Sequence, residues 1–515
     1  MAGAVLDFPN TIVMPDPRKG PFQMNQSVSG KAADFLGAEA APSTDGRQLR
    51  IASKGMLGAL TACFLSFAGA NMAYAQEAEP ASGNSYWRQS ETEMEDFVPE
   101  PMPAGIRVEI AALDGPVFTN TEGMTLYTWP LHGLRNGDVG DRKGAPSTCT
   151  DHLYTENSGL MSPYPAGFLL PDLETRPTCI DLWPPLLAEE GVEPVGKWTI
   201  IERTDGGQQW AYDGFPIYTS VLDERPGDVY GGEKRRAPGD GPAVRIPIGP
   251  APNVPPEFQV VQVANGRMLT DHTGYSVYAS DGDEENTSNC YDACLEVWEP
   301  VLAPERALPR GEWSVVERAP GIKQWAFRGE PLYTYINDPQ ARGVIGSDIP
   351  GWHNVYTQKA PAPPSEFTIQ NTRTGQVLAD SEGKTLYVYN CGDDALDQLY
   401  CDHPSATQAY RMAVCGGNDP ERCLATFPPV EAPGEVETGN RLWGTAYIDP
   451  LTGREVEFGQ EGGMNVWTYR DRPIYTFAGD KEPGDINADN WGEFNGLRNG
   501  FKAFWLRDDY FGNTL

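Results

Sequence analysis

"QWAYDGFPIYTS" occupies residues 209–220, and close variants return as "QWAFRGEPLYTY" at 324–335 and "VWTYRDRPIYTF" at 466–477. Three copies at unequal spacing indicate one structural unit that was repeated and whose loops then diverged. In each copy, aromatic and apolar residues alternate on both sides of a short polar turn, which is typical of a β-hairpin.

The hairpin can be read from the first copy. Trp210 and Tyr212 are two residues apart, so they lie on one face of a strand. Asp213-Gly214 supplies the positive φ angles that a two-residue hairpin turn needs. We expect the same turn at Arg328-Gly329, whereas Arg470-Asp471 is a poorer turn sequence.

A second hairpin is predicted upstream in each copy, because a Gly stands four residues before Tyr127, Tyr278 and Tyr387. Proline-rich joints precede all three copies and mark the boundaries. The middle copy is the shortest, so the other two carry long insertions on surface loops. The chain therefore divides into a leader and signal peptide (1–75), a linker (76–102) and repeat domains 1 (103–250), 2 (251–359) and 3 (360–515).

The composition excludes some partners. The formal net charge is −33, which repels nucleic acid and anionic lipid, and no basic patch offsets it. Arg47, Arg50 and Lys54 precede an apolar run that ends in the small-x-small triplet at residues 73–75. This is the layout of a secretory signal with cleavage before Gln76.

Two alternatives concern the membrane. The apolar run is short and contains Gly58 and Gly69, which argues against a permanent span. "LTAC" at 60–63 resembles a lipoprotein cleavage box, so anchoring through Cys63 is an alternative to a periplasmic or secreted protein. We expect no stable transmembrane span elsewhere.

The cysteines agree with export, because eight of the nine follow the leader, and an even number outside the cytosol predicts disulfides. Metal binding is the alternative, although no CxxC pair or repeated His accompanies them. The predicted bridges, with the true connectivity open, are Cys149–Cys179, Cys290–Cys294, Cys415–Cys423 and an additional Cys391–Cys401.

The repeats resemble a known family. "YTYIND" at 333–338 and "YTFAGD" at 475–480 share a Tyr-x-aromatic-x-x-Asp pattern, and cysteines precede an aromatic-Pro segment. Together these motifs resemble the bacterial secreted or lipoprotein repeats named for Yx(FWY)xxD. Ser220 and Phe427 depart from the pattern. The resemblance implies that the chain is an envelope protein built from repeats of this family, and it implies no particular catalytic reaction.

The predicted fold is all-β, with three tandem repeats of short antiparallel hairpins, long irregular loops and disulfide staples. A closed toroid of six hairpins is the alternative. The repeated aromatics have two interpretations: packing in small β-domains, or a shallow platform for a sugar, peptide or protein. The platform would comprise Trp210, Tyr212, Tyr218, Trp325, Tyr333, Tyr335, Trp467, Tyr469 and Tyr475.

The chain has no linear motif of a nucleotide loop, nucleophile elbow, zinc protease or covalent haem site. No repeated polar constellation is visible either. The sequence therefore favours an exported, non-catalytic binding or scaffold protein of the bacterial envelope, with an envelope protein or cell-surface ligand as partner. The alternatives are a redox or metal protein in which His353, cysteines or methionines hold copper or haem, and a hydrolase built from carboxylates of the insertions.

One calcium site is a further hypothesis. "GDKEPGDINADNWGE" at 479–493 alternates oxygen-bearing side chains, and Ca²⁺ takes six to eight oxygen ligands. An acidic turn capped by its own side chains is the competing interpretation. The candidate ligands are Asp480, Asp485, Asn487 and Asp489.

Overall fold

The structure is a computed structural model, and the parts of the chain that it describes are 94–134, 137–153, 155–156, 167, 169, 177–231, 245–391, 403–406, 408–434, 436, 438, 442–492 and 500–510. The predicted signal peptide and Cys63 lie outside these residues. The described strands are short and antiparallel, and the predicted all-β class with three repeats is confirmed. Within the described residues no barrel closes, which leaves the toroid without support.

Repeat 1 forms a sheet in the order β6-β7-β8-β3-β9 and two hairpins, β1-β2 and β4-β5. Its strands are β1 (Arg107–Ala111), β2 (Gly115–Thr119), β3 (Tyr127–Thr128), β4 (His132–Leu134), β5 (Gly137–Val139), β6 (Trp198–Glu202), β7 (Gln208–Tyr212), β8 (Phe215–Tyr218) and β9 (Ile246–Pro247).

Repeat 2 forms sheets in the orders β10-β11-β20, β13-β18-β12-β19 and β14-β16-β15, with β17 paired to β16. Its strands are β10 (Phe258–Val263), β11 (Gly266–Asp271), β12 (Tyr278–Ser280), β13 (Trp298–Pro300), β14 (Leu302–Ala303), β15 (Trp313–Ala319), β16 (Ile322–Phe327), β17 (Glu330–Pro331), β18 (Tyr333–Tyr335), β19 (Trp352–Asn354) and β20 (Tyr356–Lys359).

Repeat 3 forms sheets in the orders β21-β22-β28 and β24-β25-β26-β23-β27. Its strands are β21 (Thr368–Thr372), β22 (Gly375–Ala379), β23 (Tyr387–Asn390), β24 (Trp443–Ile448), β25 (Met464–Tyr469), β26 (Arg472–Tyr475), β27 (Gly500–Ala503) and β28 (Trp505–Asp508).

The signature hairpin turns as predicted. Asp213 and Gly214 have φ angles of 48° and 83°, and Arg328 and Gly329 have 51° and 83°. The poorer turn sequence of repeat 3 adopts the same geometry, with φ angles of 52° and 62° at Arg470-Asp471. The strands on both sides therefore impose the turn even where no glycine favours it.

All three repeats share one strand arrangement. The central strands β3, β12 and β23 pair on one side with the signature strands β8, β18 and β26, and on the other with β9, β19 and β27. The last three strands follow the signature hairpin in the chain. Each repeat is therefore completed by residues that come after its most recognisable motif.

Helices are few and short. Beside two 3-10 turns (Asp292–Glu296 and Ile345–Asp348), the described helices are α1 (Cys179–Leu182), α2 (Ala409–Gly416) and α3 (Pro420–Thr426). Asp419 caps α3 by accepting a hydrogen bond from the Arg422 backbone N–H. The insertion of repeat 3 was predicted to be a long irregular loop, but it contains α2 and α3, whose Cys415 and Cys423 are buried in the core cluster of Phe427.

The repeats contact one another. The side chain of Gln358 in repeat 2 donates to the Ala111 carbonyl of repeat 1 over 2.7 Å. Arg507 in repeat 3 pairs with Asp348 of repeat 2 at 2.6 Å, and Arg470 donates to the Val229 carbonyl of repeat 1 over 2.8 Å. All three pairs of repeats are thus joined directly.

The segment 94–100 contacts both repeats: Glu100 accepts a hydrogen bond from Lys197 of repeat 1 over 2.8 Å, whereas the residues before it pack on repeat 2. The buried Glu95 pairs with Arg267 at 2.8 Å and accepts a hydrogen bond from the Thr357 hydroxyl. Phe97 forms a β-bridge with Pro252. We call residues 94–100 the strap.

Candidate functional site

Three of the predicted cysteine pairs lie at disulfide distance, one in each repeat. Their S–S distances are 1.97, 1.92 and 1.77 Å for Cys149–Cys179, Cys290–Cys294 and Cys415–Cys423. The fourth predicted pair includes Cys401, which lies outside the described residues, whereas Cys391 is buried.

The predicted aromatic platform lies mostly in the core. Tyr212 and Tyr335 are partly exposed. The other seven side chains are buried: Trp210, Tyr218, Trp325, Tyr333, Trp467, Tyr469 and Tyr475. A ligand platform requires accessible rings, so these positions support the packing interpretation.

A buried Tyr–Asp pair recurs in every repeat, and we call it the Tyr–Asp clamp. The hydroxyl of a tyrosine in the central strand donates to the aspartate that ends the Yx(FWY)xxD pattern. The pairs are Tyr127–Asp223 at 2.8 Å, Tyr278–Asp338 at 2.7 Å and Tyr387–Asp480 at 2.6 Å. The expectation that no polar constellation is repeated was therefore wrong.

The aspartate of the clamp also closes the loop after the signature hairpin. Asp223 accepts a second hydrogen bond from the Tyr230 backbone N–H, and Asp480 accepts one from Asn487. Both donors stand seven residues after their aspartate. The carboxylate thus joins the sheet to the loop and satisfies buried donors on both sides, which explains why an acid ends the motif.

The clamps titrate unusually because they are buried. Burial raises the pKa of Asp223 to about 7 and that of Asp338 to about 6. It also raises the pKa of Asp480 above its ordinary value. Because these pairs are enclosed and mutually hydrogen-bonded, we interpret them as structural elements rather than as acid–base catalysts.

We expect the stability of wild type relative to Asp223→Asn to fall as pH rises. The raised pKa, about 7 against an ordinary 3.8, means that the folded state binds the proton more tightly than the unfolded chain. That stabilisation is fully present below the ordinary value and is lost as pH rises through the folded value. Asn does not titrate, so denaturant unfolding from pH 4 to pH 8 should show the wild-type advantage shrinking.

Asp213→Asn, at an exposed position, provides the matched control for this pH series. If the unfolding free energies of wild type and Asp223→Asn remain parallel across the series, burial does not raise the Asp223 pKa as described.

A second hydroxyl cluster is present in repeats 1 and 2. Tyr218 donates to Asp141 over 2.5 Å and lies 2.5 Å from the Ser147 hydroxyl. Tyr333 likewise donates to Asp283 over 2.7 Å, with the Ser288 hydroxyl at 2.6 Å. The signature tyrosine of each of these repeats is therefore also tied to an acid that precedes the disulfide.

An aromatic stack lies beside each disulfide. In repeat 2, Trp298 packs between Tyr335, with ring centroids 4.7 Å apart, and Trp352, stacked at 3.6 Å. In repeat 3, Phe427 packs in the same way between Phe477 at 4.9 Å and Phe501 at 3.7 Å. The aromatic position of Yx(FWY)xxD thus serves as one layer of this stack.

Repeat 1 builds its stack differently. Trp183 takes the central place, but Ser220 replaces the motif aromatic. The guanidinium of the buried Arg245 lies 4.1 Å above the Trp183 ring and 4.3 Å from the ring of Trp129. A cation held between two rings therefore replaces one aromatic layer.

The stack of repeat 2 is the accessible one. Trp352 and Tyr335 are partly exposed, whereas Phe501 and Phe477 of repeat 3 are buried. Apolar residues in the chain segments that carry Tyr335 and Trp298 are also exposed. Their exposed fractions are 58% for Ile336, 45% for Tyr291 and 40% for Leu295. We call Tyr291, Leu295, Tyr335, Ile336 and Trp352 the open face.

His353 lies in the strand that carries Trp352 and has two acidic neighbours. Its Nδ1 is 3.0 Å from Asp281 and its Nε2 is 3.3 Å from Glu330. Burial opposes the charged form, but the hydrogen bonds and charges of Glu330 and Asp281 outweigh it and raise the pKa of His353. Both ring nitrogens are engaged, so the geometry is that of an ion-pair bridge.

The candidate calcium ligands serve other contacts. Asp485 accepts hydrogen bonds from the backbone N–H groups of Lys481 and Glu482, and Asp489 accepts one from Ala503. In repeat 1, Asp228 caps its loop as Asp485 does. The described residues contain no group of three or more His, Cys, Asp or Glu placed to hold a metal ion. The loop therefore has the contacts of the capped acidic turn.

Sequence reasoning missed the partners in these contacts. Tyr127, Tyr278 and Tyr387 stood out only as hairpin residues, and their distance from the aspartates in the chain concealed the clamp. The signal available was that both a tyrosine and an aspartate recur in order in each repeat.

Three segments of the chain, residues 199–233, 259–302 and 459–498, match a family model described as "secreted repeat of unknown function". The second segment contains Tyr278, the Cys290–Cys294 pair and Trp298, and the third contains Asp480. Neither the curated proteins nor the solved structures contain a match.

The repeat family and the disulfide pairs indicate an extracellular or envelope protein. In the described part of the chain, no helix is both long and apolar enough to cross a membrane.

Proposed function

Because the chain carries repeats of the secreted-repeat family, we propose that it is an exported, non-catalytic binding protein that contacts an envelope protein through the open face of repeat 2. The observation that carries the proposal is the accessibility of this stack, whose counterparts in repeats 1 and 3 are buried. A cluster of exposed apolar and aromatic side chains is typical of a protein–protein contact.

The rest of the chain supports a rigid presentation of this face. Direct contacts join the repeats, and a disulfide pair fixes the segment beside each stack. A rigid surface loses less conformational freedom when it binds than a flexible one. The hydrogen-bonded, enclosed clamps favour a non-catalytic role.

The proposal is tested with the full exported protein in its native envelope. Ile336→Arg places a charged side chain on the open face, and Leu308→Arg makes the same change at a position that is 75% exposed elsewhere in repeat 2. We expect Ile336→Arg to release the protein from a larger native complex to its monomeric size, measured by native gel or light scattering. Leu308→Arg should leave the complex intact.

A photo-crosslinking amino acid introduced at position 336, with position 308 as control, tests contact directly. It should capture a single envelope protein from position 336 only. The proposal fails if the Ile336→Arg protein retains its complex, or if both positions capture the same proteins.

A further inference from the structure

Repeat 1 contains an internal arginine site. The Arg245 guanidinium lies between the rings of Trp183 and Trp129, and its charge interacts with the Asp141 carboxylate. A guanidinium suits such a place because it is planar, charged and weakly hydrated. Repeat 1 therefore shows what chemistry this part of the fold accommodates.

The strand register identifies the same place in the other repeats. Thr128 pairs with Ile246 in repeat 1, and the equivalent pair in repeat 2 is Ala279 and His353. The next positions along the two strands are Trp129 and Arg245 in repeat 1. They correspond to Ser280 and Trp352, which pair with each other in repeat 2. In repeat 3 the corresponding pair is Tyr389 and Phe501.

Repeat 2 therefore lacks one ring. Ser280 stands where repeats 1 and 3 have Trp129 and Tyr389, and a serine has no ring to cover its neighbour. This agrees with the partial exposure of Trp352, whereas Arg245 and Phe501 are buried. One face of the Trp298–Trp352 stack is left for a planar group.

The carboxylate of the arginine site is kept in repeat 2. Asp283 accepts from Tyr333 as Asp141 accepts from Tyr218. Asp141 is buried, whereas Asp283 is partly exposed. No Lys or Arg among the described residues forms an ion pair with Asp283, and Trp352 occupies the strand position that Arg245 has in repeat 1.

The segment around Asp283 is rich in acids, and the guanidinium of Arg318 contacts it: Arg318 donates to the Ser288 hydroxyl and the Cys290 carbonyl and lies 4.5 Å from the centre of the Tyr291 ring. Residues 281–299, which run from the end of β12 to β13, contain seven Asp or Glu and no Lys or Arg. Such a segment attracts cationic partners over several ångströms and disfavours acidic ones.

Building on the proposed function, we propose that the open face of repeat 2 binds a basic polypeptide segment of its partner, and that one arginine of this segment stacks on Trp352 and pairs with Asp283. The partner arginine then lies where Trp129 lies in repeat 1, and it supplies between chains the positive charge that Arg245 supplies within that repeat. The apolar side chains at Tyr291, Leu295 and Ile336 contact the neighbouring residues of the same segment.

The probe is a nonapeptide in which three arginines alternate with Gly-Ser spacers, titrated into the full exported protein by calorimetry. The same peptide with lysine, and with citrulline as a neutral isostere of arginine, serves as comparison. We expect one peptide per chain, binding of the lysine peptide at least fivefold weaker than that of the arginine peptide, and no measurable binding of the citrulline peptide.

Matched variants locate the site. Trp352→Leu is expected to weaken the arginine peptide at least tenfold and Asp283→Asn at least fivefold, whereas Trp352→Phe should keep most of the affinity. Trp491→Leu removes a Trp that is 37% exposed in repeat 3, and Glu189→Gln removes one exposed acid in repeat 1. Both controls should bind like wild type, and a melting curve of each variant shows whether it is folded.

The outcomes separate this inference from the proposed function. Equal binding by all folded variants would mean general attraction of a polycation to an acidic protein and would overturn the arginine site. If the peptide does not bind but Ile336→Arg still dissociates the native complex, the open face contacts a partner segment that is not arginine-rich, and the arginine site is overturned. If Ile336→Arg leaves the complex intact, the proposed function and the arginine site both fail.

Discussion

Phe427→Ala should lower the free energy of unfolding by about 3–5 kcal/mol. Phe427 is fully buried, stacks on Phe501 at 3.7 Å and contacts Phe477 at 4.9 Å. Removing the middle layer of the stack leaves a cavity between two rings that are held by separate strands, β27 and the segment after β26. Neither ring can move far enough to fill it.

Phe458→Ala is the matched control, because Phe458 is 73% exposed in the same repeat. Its effect should stay within about 1 kcal/mol. Denaturant unfolding under non-reducing conditions measures both variants. Similar losses for the two would show that the stack is not a tightly packed part of repeat 3.

Removing the Cys149–Cys179 pair should cost more stability than removing Cys290–Cys294. The first pair closes a separation of 30 residues and the second closes 4. In the chain-entropy account, the unfolded chain gains more conformational freedom when a longer loop is opened. The expected loss of unfolding free energy is about 3–4 kcal/mol for the first pair and about 2 kcal/mol for the second. Double alanine variants of each pair, unfolded in denaturant, provide the comparison.

Each double variant removes one cysteine pair and keeps the other two described pairs, so the loss of stability can be assigned to the pair that was removed. Equal losses, or a larger loss for the short loop, would contradict the loop-length explanation. A mass measurement of the unmodified protein that finds these four cysteines as free thiols would remove the premise.

The hairpins were predictable because their causes are local. Alternating aromatics set the strands, and a residue pair such as Asp213-Gly214 sets the turn. Three of the four predicted cysteine pairs, one in each repeat, lie at bonding distance; the fourth includes Cys401, outside the described residues.

The sites were harder to predict because their parts are distant in the chain. The clamps join residues 96, 60 and 93 positions apart, and no local pattern states that such residues meet. The stack was concealed for a different reason: Arg245, Trp352 and Phe501 share one place in the fold but not one chemistry, so a search for repeated residues cannot align them. The calcium hypothesis counted oxygen atoms without the backbone N–H groups that Asp485 already binds.

The strap has a consequence for the order in which the chain matures. Glu95 meets Arg267 and Thr357, which lie 172 and 262 residues later in the chain. In a chain that crosses a membrane with its N-terminal end first, the strap emerges long before Arg267 and Thr357, the residues that Glu95 contacts. Because the closure of long loops slows folding, we expect Glu100 to meet Lys197 when repeat 1 folds, and the Glu95 end of the strap to dock only when the strand containing Thr357 has emerged. Completion of the first part of the molecule thus waits for the second, and until then the acidic side chain of Glu95 remains in water.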